Sequence, residues 1–494
     1  MHKLNFKKNK MKQLHLTALI VIAITFSTSA QIKIKKSAAV TLLTDTAFID
    51  VNVVPMDRAR VLTHQTVVVR NGRIISIGPT SKATVPRSAF RIQGNGRYLM
   101  PGLADMHVHL SSGRWPGHMV LFIANGVTTV RSTADASNGT LKLRDMVRAD
   151  SALGPTIYTA GLHLDGDPPR HTESTIIVHT AEEGKQAVMK TKESGYDFVK
   201  VYDGLSLESY DAIIRAAREA QIPVIGHVPL AVGLEHALQS RQASIEHLHG
   251  YDLALQADSS PYRSTEGYHA PTFNTGSGQR VRAWEYIDFV KLPSLVAMTK
   301  VNKVWHTPTL SMFMADALPG EIEARRKLPE MRYVPGMLFN RWIDHNWPPD
   351  IVLIARRTNS ARMRVVKALH DAGVGIMLGT DPANPFILWG FATHKELDHL
   401  VAAGLTPYEA IAAGTRNAAE YLGALVEFGT VEVGKRADLL LVDGNPLDDV
   451  ANVQRISGVM LRGHWLPNAA LQGELDKVAE EIRRFEEYQK ARGK

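Results

Sequence analysis

The chain contains no cysteine. That absence excludes disulfides, thiolate metal ligands, a cysteine nucleophile and a lipid-modified cysteine at a processing site. Any metal must then be held by imidazole, by carboxylate or by something less usual. A second long apolar run is also lacking: beyond residues 14–26 nothing approaches the ~20 residues that cross a bilayer. Excess charge is small as well. The net charge is +8, and Lys3, Lys7, Lys8, Lys10 and Lys12 account for five of it, leaving +3 on the remainder, which gives no reason to expect a nucleic-acid partner.

Those lysines precede the apolar run, which closes on Ser27-Thr28-Ser29-Ala30. This is the pattern of a secretory leader cleaved after Ala30. The alternative, a retained membrane anchor, needs a longer run. A start at Met11 leaves the reading intact, because Lys12 still precedes the run. The mature protein is therefore expected to be periplasmic or secreted, without a stable membrane anchor. With 494 residues, 45% of them hydrophobic, the chain can bury a large core.

After the leader (1–30), residues 47–92 alternate short β-rich runs with turns such as Asn71-Gly72 and Gly78-Pro79, and 429–465 does the same around Ala437-Asp438-Leu439-Leu440-Leu441-Val442. Each end has one apolar face to bury, so 31–100 and 426–468 are expected to form a small β-sandwich together. Between them, strand-like runs alternate with helical patterns such as 210–221 and 361–372. That order places 101–425 in the α/β class as a TIM-like (β/α)8 barrel, whose chemistry sits at the carboxyl ends of the strands. The stretches 251–281 and 313–347 interrupt the barrel and are expected to form a lid. In 469–494, Leu471, Leu475, Val478, Ile482 and Phe485 mark an amphipathic helix that packs on its own barrel or joins a homo-oligomer.

Four groups fall at strand ends. In Asp105-Met106-His107-Val108-His109 the two histidines share one face of a strand and converge on one point, which suits a metal. In Phe198-Val199-Lys200-Val201-Tyr202 a lysine interrupts a buried-looking strand, and a buried ammonium is costly unless paired or chemically altered. Reaction with carbon dioxide would turn Lys200 into an anionic carbamate able to bridge two cations; snorkelling or pairing with Asp203 is the alternative. His227 and His247 each end a strand and offer neutral imidazoles, with His249 sharing parity with His247, so a swap between those two stays open. Last, Gly379-Thr380-Asp381 closes an apolar strand with a carboxylate that can bind metal and take a proton from water, or simply cap the next helix.

Taken together, Met100-Pro101-Gly102-Leu103-Ala104-Asp105-Met106-His107-Val108-His109, Lys200, His227, His247 and Gly379-Thr380-Asp381 resemble the amidohydrolase superfamily, in its imidazolonepropionase-like and prolidase-like branch, over residues 47–444. The resemblance implies that His107, His109 and Asp381 hold one metal, that His227 and His247 hold a second, and that carboxylated Lys200 bridges them. The two ions, zinc by expectation with manganese or cobalt as alternatives, would stand about 4 Å apart and share a hydroxide. His163 falls where prolidase-like relatives carry a histidine that assists the substrate carbonyl, although Gly161-Leu162-His163 departs from their Gly-Gly-His. Imidazolonepropionase uses one metal and lacks the strand-end lysine, so Lys200 points to the two-metal, dipeptidase-like members.

The expected activity is hydrolysis of a small-molecule amide or dipeptide without a covalent enzyme intermediate. A mononuclear deaminase-like or cyclic-amide hydrolase is the rival enzyme. An inactive exported binding protein is the rival without catalysis, and the complete ligand set speaks against it. For a substrate carboxylate the sequence offers Arg325, Arg326 and Arg332 in the lid, unless they are solvated surface, with Tyr202 and Tyr333 as weaker candidates.

Overall fold

The computed structural model describes residues 45–110, 117–135, 139–263, 273–382 and 384–492. The leader lies outside the described residues, as does part of the 251–281 insertion.

Both chain ends contribute to one sheet. Its order is His464–Pro467, Ile456–Leu461, Leu439–Val442, Tyr98–Pro101, Asp45–Val53, Leu62–Arg70, Arg73–Pro79, with Phe90–Gln93 also paired to Asp45–Val53. The turn Asn71-Gly72 joins two of these strands with both residues at positive φ, 50° and 75°. That conformation matches the twist of a two-residue hairpin. Gly72 is required there for a second reason, since a Cβ would stand 2.8 Å from the carbonyl oxygen of Arg462.

The two ends meet edge to edge rather than as separate sheets: Leu439 pairs with Pro101 and Val442 with Tyr98, antiparallel. Sandwich packing then comes from curvature. Trp465 and Phe48 lie four strands apart, about 19 Å if the sheet were flat, yet their rings meet edge-on at 5.3 Å. The sheet therefore folds over on Phe48, Val67, Leu99, Leu439 and Met460, all buried.

The barrel follows as parallel strands Leu103–Val108, Val127–Ser132, Thr156–Asp165, Phe198–Val201, Val224–Gly226, Ser244–Glu246 and Trp305–Thr307. The expected eighth strand is extended chain held on both sides. Ile376 bridges His306 in parallel, Met377 N–H donates to His306 O at 2.8 Å, and Met106 N–H donates to Leu378 O at 2.8 Å. Its ladder is interrupted because Leu378 N–H turns to Ala413 O, at 3.0 Å. The barrel thus closes between its first strand and this segment.

Helices cover the outside. Leu207–Glu219 begins at Ser206, whose hydroxyl accepts from Ser209 N–H, and buries Tyr210, Ile213, Ile214 and Ala217. The stretches 251–281 and 313–347 are more regular than their sequence suggests, with helices Phe273–Ala283, Leu310–Ala315, Ile322–Arg326 and Gly336–His345 in or beside them. The carboxyl-terminal helix Asn468–Arg492 buries Leu471, Leu475, Val478 and Ile482 in the main core of its own chain, at about 1.5–3 kcal/mol each relative to exposure. Its apolar stripe is spent there, and Phe485 is only half-buried. Among the described residues no helix is long and apolar enough to cross a membrane.

Candidate metal centre

The expected metal ligands His107, His109, Lys200, His227, His247 and Asp381 line one cavity of about 450 Å³, together with His163 and His249. His107 belongs to strand Leu103–Val108 and Lys200 to Phe198–Val201, while His227 and His247 sit just past the ends of their strands and Asp381 just past the extended segment that closes the barrel. The turn at the barrel mouth is tight. His247, Leu248, Thr309 and Asp381 all adopt left-handed φ, at 60°, 55°, 47° and 58°. Four such residues are strained, and the network around them holds them: Asp381 N–H donates to His107 O and His247 N–H to Thr307 O, at 2.8 and 2.9 Å.

Three histidines are oriented alike. His107 Nδ1 lies 2.9 Å from Glu246 Oε2, His227 Nδ1 lies 2.9 Å from Asp203 Oδ1, and His247 Nδ1 lies 2.7 Å from Thr309 Oγ1. An ionised carboxylate only accepts, so the Nδ1 of His107 and of His227 carries the proton and their Nε2 lone pairs are left for a ligand. Around Asp381 the Nε2 atoms of His109, His107 and His247 gather at 3.1, 3.7 and 3.7 Å. His107, His247 and Asp381 form one group whose donor atoms lie within 4.8 Å of one another, and Asp203, His227 and His249 form another.

His247, expected beside His227, has its ring 5.2 Å from that of His227 and also falls in the group with Asp381. His249, left open by the sequence, lies 3.8 Å from His227 ring to ring and 3.4 Å from Asp203. Asp203 is engaged by these histidines and, at 3.6 Å, by Arg280, rather than by Lys200.

Burial sets the protonation states. It pushes His107 down to about 4 and His227 and His247 well below the usual imidazole range, so all three are neutral at pH 7. Burial alone would raise Asp381, but His107, His109 and His247 hold its carboxyl well below the usual range. Lys200 is 1% exposed, and burial lowers it to about 8 against the pull of Glu246 and Asp381. Gly226, at φ 131°, makes room for it: a Cβ there would meet Val201 O at 2.2 Å and Lys200 Cδ at 3.0 Å. Neutral imidazoles, one ionised carboxylate and a lysine close to losing its proton are a nitrogen and oxygen donor set that fits divalent cations.

Beneath the histidines lies a support that sequence reasoning missed. Arg131 donates from Nη2 to both oxygens of Glu246, at 2.9 and 3.0 Å, and Ser244 donates to Glu246 at 2.6 Å. Asp105, pushed up to about 7 by burial, accepts from Thr380 Oγ1 at 2.5 Å. Lone charges inside the strands Val127–Ser132 and Ser244–Glu246 were the available signal, the same one that drew attention to Lys200.

His163 is 4% exposed; its Nδ1 meets Ser174 Oγ at 3.3 Å, and its buried Nε2 has no hydrogen-bond partner. Tyr202 forms part of the wall, 4.0 Å from the ring of His227. The arginines offered for a substrate carboxylate go elsewhere: Arg332 pairs with Asp476, Arg326 packs over Phe339, and Arg325 lines a second cavity with Tyr333. They are surface and packing groups, and the arginines that reach this cavity are Arg170, Arg280, Arg341 and Arg362.

The sequence profile of the amidohydrolase family matches residues 98–466. An imidazolonepropionase of Sphingopyxis alaskensis is 26% identical over 426 residues, covering 78% of this chain and 88% of that one. Among solved structures, a bottromycin amidohydrolase superimposes with a TM-score of 0.69 at 24% identity, covering 89% of this chain and 91% of that one. A Xaa-Pro dipeptidase, solved with methionine in its active site, gives 0.62 at 20% identity, covering 86% of this chain and all of that one, 100%. At such identities the two superpositions speak for the fold.

Proposed function

Because the chain belongs to the amidohydrolase family, we propose that it hydrolyses the carbon–nitrogen bond of a small amide or dipeptide at a two-metal centre bridged by carboxylated Lys200. The observation that carries the reading is the common orientation of His107, His227 and His247, each with Nδ1 tied back so that Nε2 is the nitrogen left to bind a ligand. His107, His109 and Asp381 would hold one ion, and His227 with His247 the other, with His249 as the nearest substitute. When bound, divalent ions lower the pKa of water and polarise a carbonyl. The rest is done by the chain. Lys200, lowered by burial to about 8 so that a fraction of it is unprotonated near neutral pH, adds through Nζ to carbon dioxide, forming a nitrogen–carbon bond and releasing a proton. Asp381 accepts a proton from the attacking water and returns it to the leaving nitrogen as the carbon–nitrogen bond breaks. His163, neutral because burial holds it well below the usual range, presents a ring nitrogen to the substrate carbonyl.

The similarity to an imidazolonepropionase keeps one rival reading, a mononuclear cyclic-amide hydrolase. Lys200 separates the two, since a mononuclear site needs no bridge. The lysine-rich amino terminus supports action outside the cytoplasm, on peptides or amides from the surroundings. The deciding experiment is metal content per chain on the purified mature protein, alongside hydrolysis of dipeptides, N-acyl amino acids and cyclic amides. Two metals with cleavage of a linear amide is the expected result; one metal without such cleavage overturns the proposal.

A further inference from the structure

Among the described residues two arginines are completely buried, and they differ in one respect. Arg131 uses every nitrogen: Nε donates to Met106 O at 2.6 Å, Nη1 to Ser244 Oγ at 3.0 Å, and Nη2 to Glu246. Arg362, on helix Pro349–Asp371 and 0% exposed, donates from Nη1 to Thr358 Oγ1 at 2.9 Å and more weakly to Ala355 O at 3.4 Å. Its Nε and Nη2 have no hydrogen-bond partner. Among the described residues no carboxylate pairs with it, and Asp252, the acid that acts on its charge, is engaged by Arg280 at 3.1 Å.

An unanswered buried cation is expensive. The rings of Trp284 and Phe313, 4.8 and 4.2 Å from its Cζ, offset part of that cost. Burial lowers its pKa to about 9, which still leaves it charged at neutral pH. Arg362 also lines the cavity that holds the metal-site histidines, and Trp284 and Phe313 line it too.

We infer that Arg362 receives a carboxylate of the substrate, so the site takes dipeptides with a free carboxyl terminus or N-acyl amino acids in preference to neutral amides. The inference rests on the cavity being the site of carbon–nitrogen hydrolysis. The two free nitrogens, Nε and Nη2, form one edge of the guanidinium fork and match the two oxygens of a carboxylate. A ligand bound there completes the set of hydrogen bonds that the protein leaves open.

The test uses the metal-loaded enzyme and R362M, which keeps length and removes charge. Two readouts are taken: kcat/KM for L-alanyl-L-phenylalanine against its carboxyl-terminal amide, and calorimetric binding of 3-phenylpropionate against 3-phenylpropan-1-ol. The wild type is expected to favour the acid in both, and R362M to reduce each preference by about 100-fold. R362M should melt at or above the wild-type temperature, because it removes an uncompensated cation; an arginine with a structural role would lower it. Should R362M fail to fold, R362K keeps the charge without the fork and is expected to lose about 10-fold in the same ratios. Unchanged preferences, or 3-phenylpropionate bound equally by wild type and variant, overturn the inference and leave the metals as the anion site. Arg362-dependent binding of 3-phenylpropionate without cleavage of any amide keeps the receptor and overturns hydrolysis.

Discussion

Glu246→Gln is the most informative single change, because one carboxylate supports both the fold and the metal site. Glu246 is 0% exposed and answers the buried guanidinium of Arg131 through both oxygens. Gln preserves the shape and deletes the charge. Whichever way the new amide is turned, its NH2 group faces Arg131 Nη2, which lies 2.9 and 3.0 Å from the two oxygens. Breaking a buried pair by removing one partner costs about 3–5 kcal/mol. At roughly 2.1 cal/mol/K per residue, a chain of 494 residues unfolds with an entropy near 1 kcal/mol/K, so the melting temperature should fall by about 3–5 °C. In one orientation the NH2 also donates to His107 Nδ1, which moves the ring proton to Nε2, the nitrogen aimed at the metal position. Affinity for metal should then fall about 10–100-fold. Scanning calorimetry in chelator reads the first effect and zinc titration the second. A variant that melts within about 1 °C of wild type and binds zinc equally well would refute the argument.

Three further outcomes follow from the same geometry. Lys200→Ala should lose metal and activity together, with bicarbonate or a short carboxylic acid restoring part of both; full activity would remove the bridge. Asp381→Asn should lower kcat by about 10²–10⁴-fold while losing much less metal, and near-normal turnover would show that the proton goes elsewhere. The pH dependence has a definite sign: burial lowers His107 from 6.5 to about 4, so between those values the unfolded chain binds more protons than the folded one. Its contribution to stability is present above pH 6.5 and lost as the pH falls through about 4. Zinc release on acidification should likewise be centred well below pH 6, and a midpoint near 6.5 would contradict the burial argument.

Much of this site is legible in the sequence because a barrel strand converts spacing into direction. His107 and His109, two apart, had to share a face, and each of His227, His247 and Asp381 closes a short strand-like run. The partition between the two donor groups was not legible, since it depends on how His247 and Leu248 turn at positive φ. Nor were the partners of the ligands: Glu246 and Arg131 meet across strands that no local period connects. Arg362 was hidden in a regular helix, where a cation usually reads as a solvated face. The small sheet domain was foreseen from the β-rich ends, but the edge pairing of Tyr98–Pro101 with Leu439–Val442 is a long-range register that alternation alone does not specify.

That pairing makes the two ends of the chain a clasp around the barrel. Strand Tyr98–Pro101 directly precedes the strand that carries His107, and the edge it turns away from Asp45–Val53 lacks its neighbour until Leu439–Val442 has been synthesised. Contacts between such distant segments form slowly, so a nascent chain holds this edge open for most of its synthesis. A chain cut short before Leu439 would keep Leu99 and Met100, both 0% exposed when paired, on an apolar edge that invites aggregation or capture by folding helpers. Completion of the last strands is thus what would cover that edge, and a fragment that lacks them would leave it open.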